Sequence, residues 1–176
     1  ETRQQIEQAV QNMGYMGARV ELSEHKKNDR LKARYRIFTG EPYIVEHIAY
    51  DINDYKIDDY MLADSAHTLH PGMRFDVNQL DAERQRITRY LQDHGYYRFN
   101  KDFITYQADT MLNTRKVDLT MQLMPYQRKK EDEPTPHRQY VVREVNYLID
   151  VEESDPASIL PQDYDSLTYK GLNLYF

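Results

Sequence analysis

The chain has 176 residues, a formal net charge of −6, a hydrophobic share of 40% and no cysteine. The lack of cysteine excludes disulfides, thiolate metal sites and thiol catalysis. The acidic balance argues against a nucleic-acid binder, because such proteins usually neutralise phosphates with a basic face, and no apolar run approaches the ~18 residues of a membrane-spanning helix.

The first 40 residues predict a helix followed by two strands. Residues 6–15 (IEQAVQNMGY) show a helical pattern that closes in Gly-Tyr. A strand is expected at Ala18–Glu24 and a turn at Lys26–Asp29. A second strand follows, since its apolar and polar residues alternate. The apolar positions are Leu31, Ala33, Tyr35 and Ile37, and the polar positions are Lys32, Arg34 and Arg36.

The next unit opens with a strand and a short helix. Tyr43–Ile52 is rich in β-branched and aromatic residues, which favours a strand. Asn53 and Asp54 are suited to a turn and an N-cap, and Tyr55–Ala66 has the apolar spacing of a helix. The pair at 71–72, Pro-Gly, predicts a break in the chain.

A longer helix and a strand hairpin complete this unit. Asp76 can cap the helix and Gly95 can end it. Phe99–Asp109 is predicted to be a strand that turns at Leu112–Thr114 into a second strand at Val117–Leu123, where apolar and polar residues alternate strictly. The order of elements is therefore strand, helix, helix, strand, strand.

Two motifs recur along the chain, which indicates a tandem repeat. The Gly-Tyr ending of residues 6–15 returns in residues 87–96 (ITRYLQDHGY), and the strand pattern of residues 43–52 (YIVEHIAYDI) returns in residues 140–149 (YVVREVNYLI). We therefore expect both ends of the chain to be cut from a longer array. Residues 167–176 (LTYKGLNLYF) predict one further strand.

The repeat divides the chain into four predicted segments. They are the C-terminal part of one module (1–40), a whole module (41–126), a charged linker without apolar residues (127–138) and the start of a further module (139–176). The predicted fold class is α+β, with tandem βααββ modules. Each module is expected to hold a three-stranded mixed sheet that two helices cover on one face.

The same motifs resemble the POTRA repeats of outer-membrane protein assembly factors of the BamA/TamA type. His70–Phe99 (HPGMRFDVNQLDAERQRITRYLQDHGYYRF) resembles the core of such a repeat, with its Pro-Gly turn, its Arg-Ile pair and its closing Gly-Tyr. Gly40–Ile52 (GEPYIVEHIAYDI) resembles the boundary between two repeats. The resemblance covers residues 3–150.

This resemblance implies a docking scaffold rather than an enzyme, without a cofactor. It implies a location in the periplasm, tethered to the outer membrane by a β-barrel outside this sequence. The implied partners are unfolded outer-membrane proteins and accessory lipoproteins, with no nucleic acid. Binding in such repeats proceeds partly by addition of a strand to an open sheet edge, which reads a partner's sequence only loosely.

Two strands are the candidate binding edges. In the whole module, the residues of the candidate peptide-binding edge are Phe103, Ile104, Thr105, Tyr106, Gln107 and Ala108. In the partial first module, the residues of the second candidate edge are Arg19, Val20, Glu21, Leu22 and Ser23.

Other side-chain groups carry weaker hypotheses. Asp64, His67 and His70 lie at a spacing that does not place three metal ligands on one helical face, so we expect solvated loop histidines. Glu46 and His47 are neighbours on a strand and should point to opposite faces. No catalytic or metal site is therefore predicted. The arginines of the long helix region could contact anionic lipid, but Glu83 and Asp93 among them favour a solvated face; these arginines are Arg84, Arg86, Arg89 and Arg98.

Two alternative functions follow from the same elements. One is a POTRA module of a two-partner-secretion transporter. The other is a KH-like nucleic-acid module, which requires a Gly-x-x-Gly clamp between its helices. Residues 66–75 contain only Gly72, so the second alternative is the weaker one.

Overall fold

In a computed structural model of the chain, the structure describes residues 1–27, 30–110, 114–128, 132–148 and 165–175. These fall into two compact units, Glu1–Gln139 and Tyr140–Phe176, which are described separately. Within the described residues, no helix combines the length and the apolar character that crossing a membrane requires.

The described residues of the first unit contain three α-helices and five strands. They are α1 (Thr2–Asn12), β1 (Arg19–Lys27), β2 (Arg30–Phe38), β3 (Ile44–Asp51), α2 (Tyr55–Ala63), α3 (Val77–Asp93), β4 (Ile104–Thr110) and β5 (Lys116–Leu123). The second unit contains β6 (Asn146–Leu148), β7 (Ser166–Tyr169) and β8 (Leu172–Tyr175).

Strands β1 and β2 form an antiparallel hairpin that lies against α1. Val20 on β1 is 3% exposed and Ala18 just before it is 2% exposed, so the apolar side of the hairpin faces the helix. The helix, both strands and their order agree with the sequence pattern, but the predicted turn is wrong for Lys26 and Lys27, which continue β1 and pair with Leu31 and Arg30. Two residues of the predicted turn, at 28 and 29, lie outside the described residues.

The central module is a three-stranded sheet in the order β3–β5–β4. β5 lies in the middle, parallel to β3 and antiparallel to β4. Every second residue of β5 is buried, and these residues pack with apolar residues of α2 and α3. The buried residues of β5 are Val117, Leu119, Met121 and Leu123. The predicted α+β fold, a mixed sheet covered by two helices, is confirmed.

The caps of the two helices follow from short polar side chains. The Asp54 carboxylate accepts a hydrogen bond from the Ile57 N–H at the start of α2. Asp76 does the same for the Asn78 N–H, at 2.9 Å, at the start of α3. Such side-chain acceptors satisfy N–H groups that have no partner within the helix.

Strand β4 begins later than the sequence predicts. Phe99 is 2% exposed in the core, and Lys101–Phe103 forms a 3₁₀ turn in place of a strand. The side chain of Asn100 accepts a hydrogen bond from the Asp102 N–H at 2.8 Å, which favours this turn over extended backbone. The predicted strand at Phe99–Asp109 is therefore wrong in its first five residues.

The linker after β5 is also more ordered than predicted. His137 is 8% exposed, and its N–H donates to Oδ2 of Asp54 at 3.0 Å. Its ring Nε2 lies 2.9 Å from the Met124 carbonyl and packs near Phe99 and Phe103. His137 thus packs onto the central module, so the expectation of a wholly solvated linker is wrong at this residue, while residues 132–136 are exposed.

The second unit is a small sheet in the order β6–β8–β7. β8 is parallel to β6 and antiparallel to β7, which is the arrangement of β5 with its two neighbours in the central module. Residues 167–176, which the sequence predicts as one strand, instead turn back at Lys170 and Gly171, where φ is 49° and 80°. Two successive positive φ values are typical of the tight turn in a two-residue hairpin.

Candidate functional site

Strand β4 is one margin of the central sheet. Within the described part of the chain it pairs only with β5. Five of the six residues in the first candidate edge, Ile104–Ala108, lie on this strand. The sixth, Phe103, precedes the strand and packs its ring 5.6 Å from that of Phe99 and 4.7 Å from that of His137.

The register determines which main-chain groups of β4 face away from the sheet. The Met124 N–H donates to the Phe103 carbonyl at 2.7 Å, which makes this a hydrogen-bonded pair. Hydrogen-bonded and non-bonded pairs alternate along an antiparallel ladder. The residues whose main-chain groups point outward are therefore Ile104, Tyr106, Ala108 and Thr110. The Ile104 N–H already donates to the Lys101 carbonyl of the 3₁₀ turn, so the outward donors left for a guest strand are the N–H groups of Tyr106, Ala108 and Thr110.

A groove of about 610 Å³ runs between this edge and the first half of α3. Apolar residues form its base and charged residues form part of its rim. Those that matter below are Phe75, Leu80, Asp81, Arg84, Tyr106 and Ala108. Polar contacts join the 3₁₀ turn before β4 to α3: Lys101 Nζ lies 3.0 Å from Asp81 Oδ1, and Arg84 Nε donates to the Lys101 carbonyl at 3.1 Å.

A buried polar network lies behind the groove. Glu83 is 1% exposed and accepts hydrogen bonds from Arg86 at 2.8 Å and from the Thr68 hydroxyl at 2.6 Å. Burial alone would raise the pKa of Glu83, but the hydrogen bonds from Arg86, Thr68 and His67 lower the pKa to about 2. The expectation that Glu83 lies on a solvated face is wrong, because the carboxylate joins α3 to the segment after α2.

Arg86 extends this network to Asp64. Its guanidinium lies 2.7 Å from Asp64 Oδ2. The hydrogen bonds to Glu83 and Asp64 raise the pKa of Arg86 above the usual value of an arginine. Arg84 faces the groove instead, while Arg89 is exposed. The arginines around the long helix therefore do not present one common surface to a lipid.

The second candidate edge is also partly covered. The Val20 N–H, which points away from β2, donates to Glu7 Oε2 of α1 at 3.2 Å. The opposite margin of the central sheet is also partly covered, since the Val45 N–H donates to the Met73 carbonyl at 2.9 Å and the Gly72 N–H donates to the Val45 carbonyl at 2.8 Å. Among the described strands of the first unit, β4 and β2 each pair with one neighbour only, and of these two β4 belongs to the central module.

The groups singled out as metal-ligand hypotheses take separate roles. His67 Nδ1 lies 3.1 Å from Glu83 Oε1, and Asp64 pairs with Arg86. His70 Nδ1 lies 3.0 Å from the carbonyl of Pro71, in its own turn. The structure does not bring Asp64, His67 and His70 together, and His67 is part of the internal network rather than a solvated loop residue.

A different cluster was missed because of a bulge in β3. The pairing with β5 shifts between Val45 and His47, so Glu46 and His47 do not alternate as strand neighbours should. Both side chains lie near Asp118, with His47 Nδ1 2.9 Å from Asp118 Oδ1. Lys116 pairs with Glu46, so this carboxylate already has a cationic partner. A bulge of this kind leaves no clear signal in the sequence.

Comparison with known proteins gives a family match for the central module. Residues 43–125 match the family model described as POTRA, surface antigen variable number repeat. No curated protein matches the chain significantly.

Several solved structures are similar to the chain. They include BamA of Haemophilus ducreyi lacking POTRA domains 1–3 (16% identity, TM-score 0.42, 69% of this chain and 22% of that chain). They also include POTRA3–5 of Haemophilus influenzae BamA (14%, 0.47, 88% and 56%) and POTRA1–3 of the periplasmic domain of Omp85 from Anabaena (14%, 0.37, 71% and 49%). The chain therefore spans between about a fifth and just over half of the length of these structures.

Proposed function

We propose, from the premise that residues 43–125 form a module of the POTRA family, that the chain is a docking scaffold. It binds extended segments of other proteins as an added strand along β4. The observation that carries this proposal is the row of outward main-chain groups on β4 beside an open groove. No reactive group is required for such binding, so the proposed role is not enzymatic.

The proposed setting is the periplasm, next to the outer membrane. The resemblance of His70–Phe99 to assembly-factor repeats and the family match at residues 43–125 support this location. The proposed partners are unfolded outer-membrane proteins and accessory lipoproteins, and the proposed continuation of the chain is a membrane β-barrel. An unfolded outer-membrane protein is itself a series of strands in which apolar and polar residues alternate.

Strand addition fits the geometry of both sides of β4. A guest strand would hydrogen-bond to the carbonyl of Ile104 and to the outward groups of Tyr106, Ala108 and Thr110. Its alternate side chains would then enter the groove, against Phe75 and the apolar part of α3, while the others face solvent. Main-chain bonding supplies affinity for many sequences, and the groove selects apolar residues at every second position.

The expected affinity is modest. Each main-chain hydrogen bond contributes only about 0.5–1.5 kcal/mol net, because both partners were bonded to water before. Four outward-facing residues therefore provide a few such bonds, and association costs several kcal/mol of translational and rotational freedom. A scaffold of this kind holds its clients transiently, which suits a protein that must release them to a membrane.

Ala108→Pro tests this proposal directly. The Ala108 N–H faces outward and takes no part in the ladder with β5, so proline removes a donor for the guest strand without removing one from the sheet. The measurement is the affinity of the chain for a synthetic peptide with alternating valine and threonine. We expect at least a roughly fivefold loss of affinity, equivalent to about 1 kcal/mol.

Gln107→Thr is the matched control on the same strand. Its side chain is exposed and its main-chain groups already bond to β5, so peptide affinity should stay unchanged. Circular dichroism establishes that both variants fold. Equal peptide affinities for Ala108→Pro and for the unmodified chain would show that the peptide does not add to β4.

A further inference from the structure

The hairpin of β1 and β2 presents a strongly basic face. Directly paired residues of an antiparallel hairpin lie on the same face of the sheet, and the register pairs odd residues of β1 with even residues of β2. The exposed cationic residues on this face are Arg19, Arg30, Lys32, Arg34 and Arg36. We call them the basic face.

Only one described acid interrupts this surface. Glu21 lies on the same face, with its carboxylate 3.9 Å from Arg36, and both side chains are about two-thirds exposed. An exposed pair at this distance contributes little and leaves Arg36 available. His25 and Ser23 complete the β1 side of the face. The chain as a whole carries a net charge of −6, so the basic face is a local reversal of sign rather than a reflection of composition.

The basic face is not the core side of the hairpin. Val20, which is buried against α1, lies on the opposite face together with the apolar residues of β2. Alternate residues of a strand are about 6.8 Å apart, so four cations follow one another along β2 as an even row. Phe38 ends this row on the same face and is 48% exposed.

We propose that the basic face binds anionic phospholipid headgroups at a membrane surface. A row of like charges complements a surface that carries many phosphates better than it complements a single anionic group. Arginine supplies four of the five cations, and its planar guanidinium binds phosphate oxygens in pairs. Phe38 adds an apolar residue at the edge of the charged row, where an aromatic ring can enter the headgroup region.

This surface is separate from the proposed peptide site. The basic face belongs to β1 and β2, whereas the peptide site belongs to β4 and α3. A variant that no longer binds vesicles can therefore still be tested for peptide binding, and a variant that no longer binds the peptide can still be tested for vesicle binding. Two sites of this kind would place an extended client close to a membrane surface.

The test is flotation of the full chain with vesicles of phosphatidylcholine and phosphatidylglycerol in equal parts, against vesicles of phosphatidylcholine alone. The variant combines Lys32→Gln and Arg34→Gln on the basic face. The control combines Lys56→Gln and Arg89→Gln, two exposed cations on α2 and α3, and changes the net charge equally. Both variants are checked for folding by circular dichroism.

The proposal makes a quantitative prediction for these vesicles. Removing one cation near an anionic surface should weaken binding about fivefold, so the basic-face variant should lose roughly 25-fold and the control less than about twofold. Binding to mixed vesicles with these losses supports the proposal. The proposal is overturned by absence of vesicle binding, by equal binding to phosphatidylcholine alone or by equal losses in both variants. It is also overturned if polyglutamate displaces the vesicles at an equal concentration of charge, which would identify an acidic protein as the partner.

Discussion

The carbonyl oxygen of Phe75 occupies the place where a Cβ atom on Gly14 would lie. Gly14 has a φ of +92°, in the region that favours glycine, and its own carbonyl accepts a hydrogen bond from the Tyr43 N–H at 2.9 Å. The Arg74 guanidinium lies over the ring of Tyr15, 5.6 Å from its centre. The turn after α1 is thus fitted against the central module without room for a side chain.

Gly14→Ala should therefore destabilise the first unit. A methyl group would strain a positive φ and force apart the contact with Phe75, at a cost of about 2 kcal/mol or more. Urea unfolding measures this loss. Gly17→Ala is the control, since nothing lies within 4 Å of its Cβ position, and it should be close to neutral. Equal effects of the two substitutions would show that the turn does not dock tightly.

Glu83→Gln should be strongly destabilising at neutral pH. The substitution leaves the charge of Arg86 with Asp64 as its remaining partner in a partly buried position. Breaking one side of a buried ion pair typically costs about 3–5 kcal/mol. The free energy of unfolding of the variant and of the unmodified chain provides the measurement, and Asp93→Asn, which removes the same charge at an exposed position of α3, is the charge control.

The contribution of Glu83 should also depend on pH. The folded chain lowers the pKa of Glu83 from 4.5 to about 2, so its carboxylate stabilises the fold fully above about pH 4.5. This contribution is lost progressively as the pH falls from about 4.5 to about 2. The difference in unfolding free energy between the unmodified chain and Glu83→Gln should therefore shrink over this interval. A difference that stays constant would contradict the assigned pKa.

His137→Ala should release the linker from the central module. The substitution removes the ring from its contacts with Phe99 and Phe103 and removes the hydrogen bond to the Met124 carbonyl. We expect faster proteolysis within residues 132–139 and a loss of about 2 kcal/mol in stability. Arg138→Ala, an exposed neighbour, should behave like the unmodified chain. Unchanged cleavage in His137→Ala would mean that the ring does not hold the linker.

Periodicity was sufficient to predict the order of elements in the central module. The strict alternation in Val117–Leu123 identifies the central strand, and the long amphipathic pattern with Asp76 and Gly95 at its ends identifies α3. These signals are local, and burial on one face of a sheet or helix produces them directly. The recurrence of the motifs then predicted the tandem module, and the same motifs carried the resemblance to a known family.

The sequence did not predict contacts between residues that lie far apart along the chain. The sequence around Glu83 predicts a residue on the surface, whereas the structure surrounds its carboxylate with Arg86, Thr68 and His67. The bulge in β3 and the docking of His137 likewise depend on the neighbouring strand and helix, not on the adjacent residues. The margin that β4 occupies was predicted from the family resemblance, and a role for it in binding stays a prediction.

Amide hydrogen exchange along β4 tests the central claim most directly. When a peptide of alternating valine and threonine is added, exchange should slow at the outward N–H groups of Tyr106, Ala108 and Thr110. The N–H groups of Thr105 and Gln107, which already bond to β5, should change little. Equal slowing at all of these positions, or no slowing while the peptide is bound, would contradict strand addition at this edge.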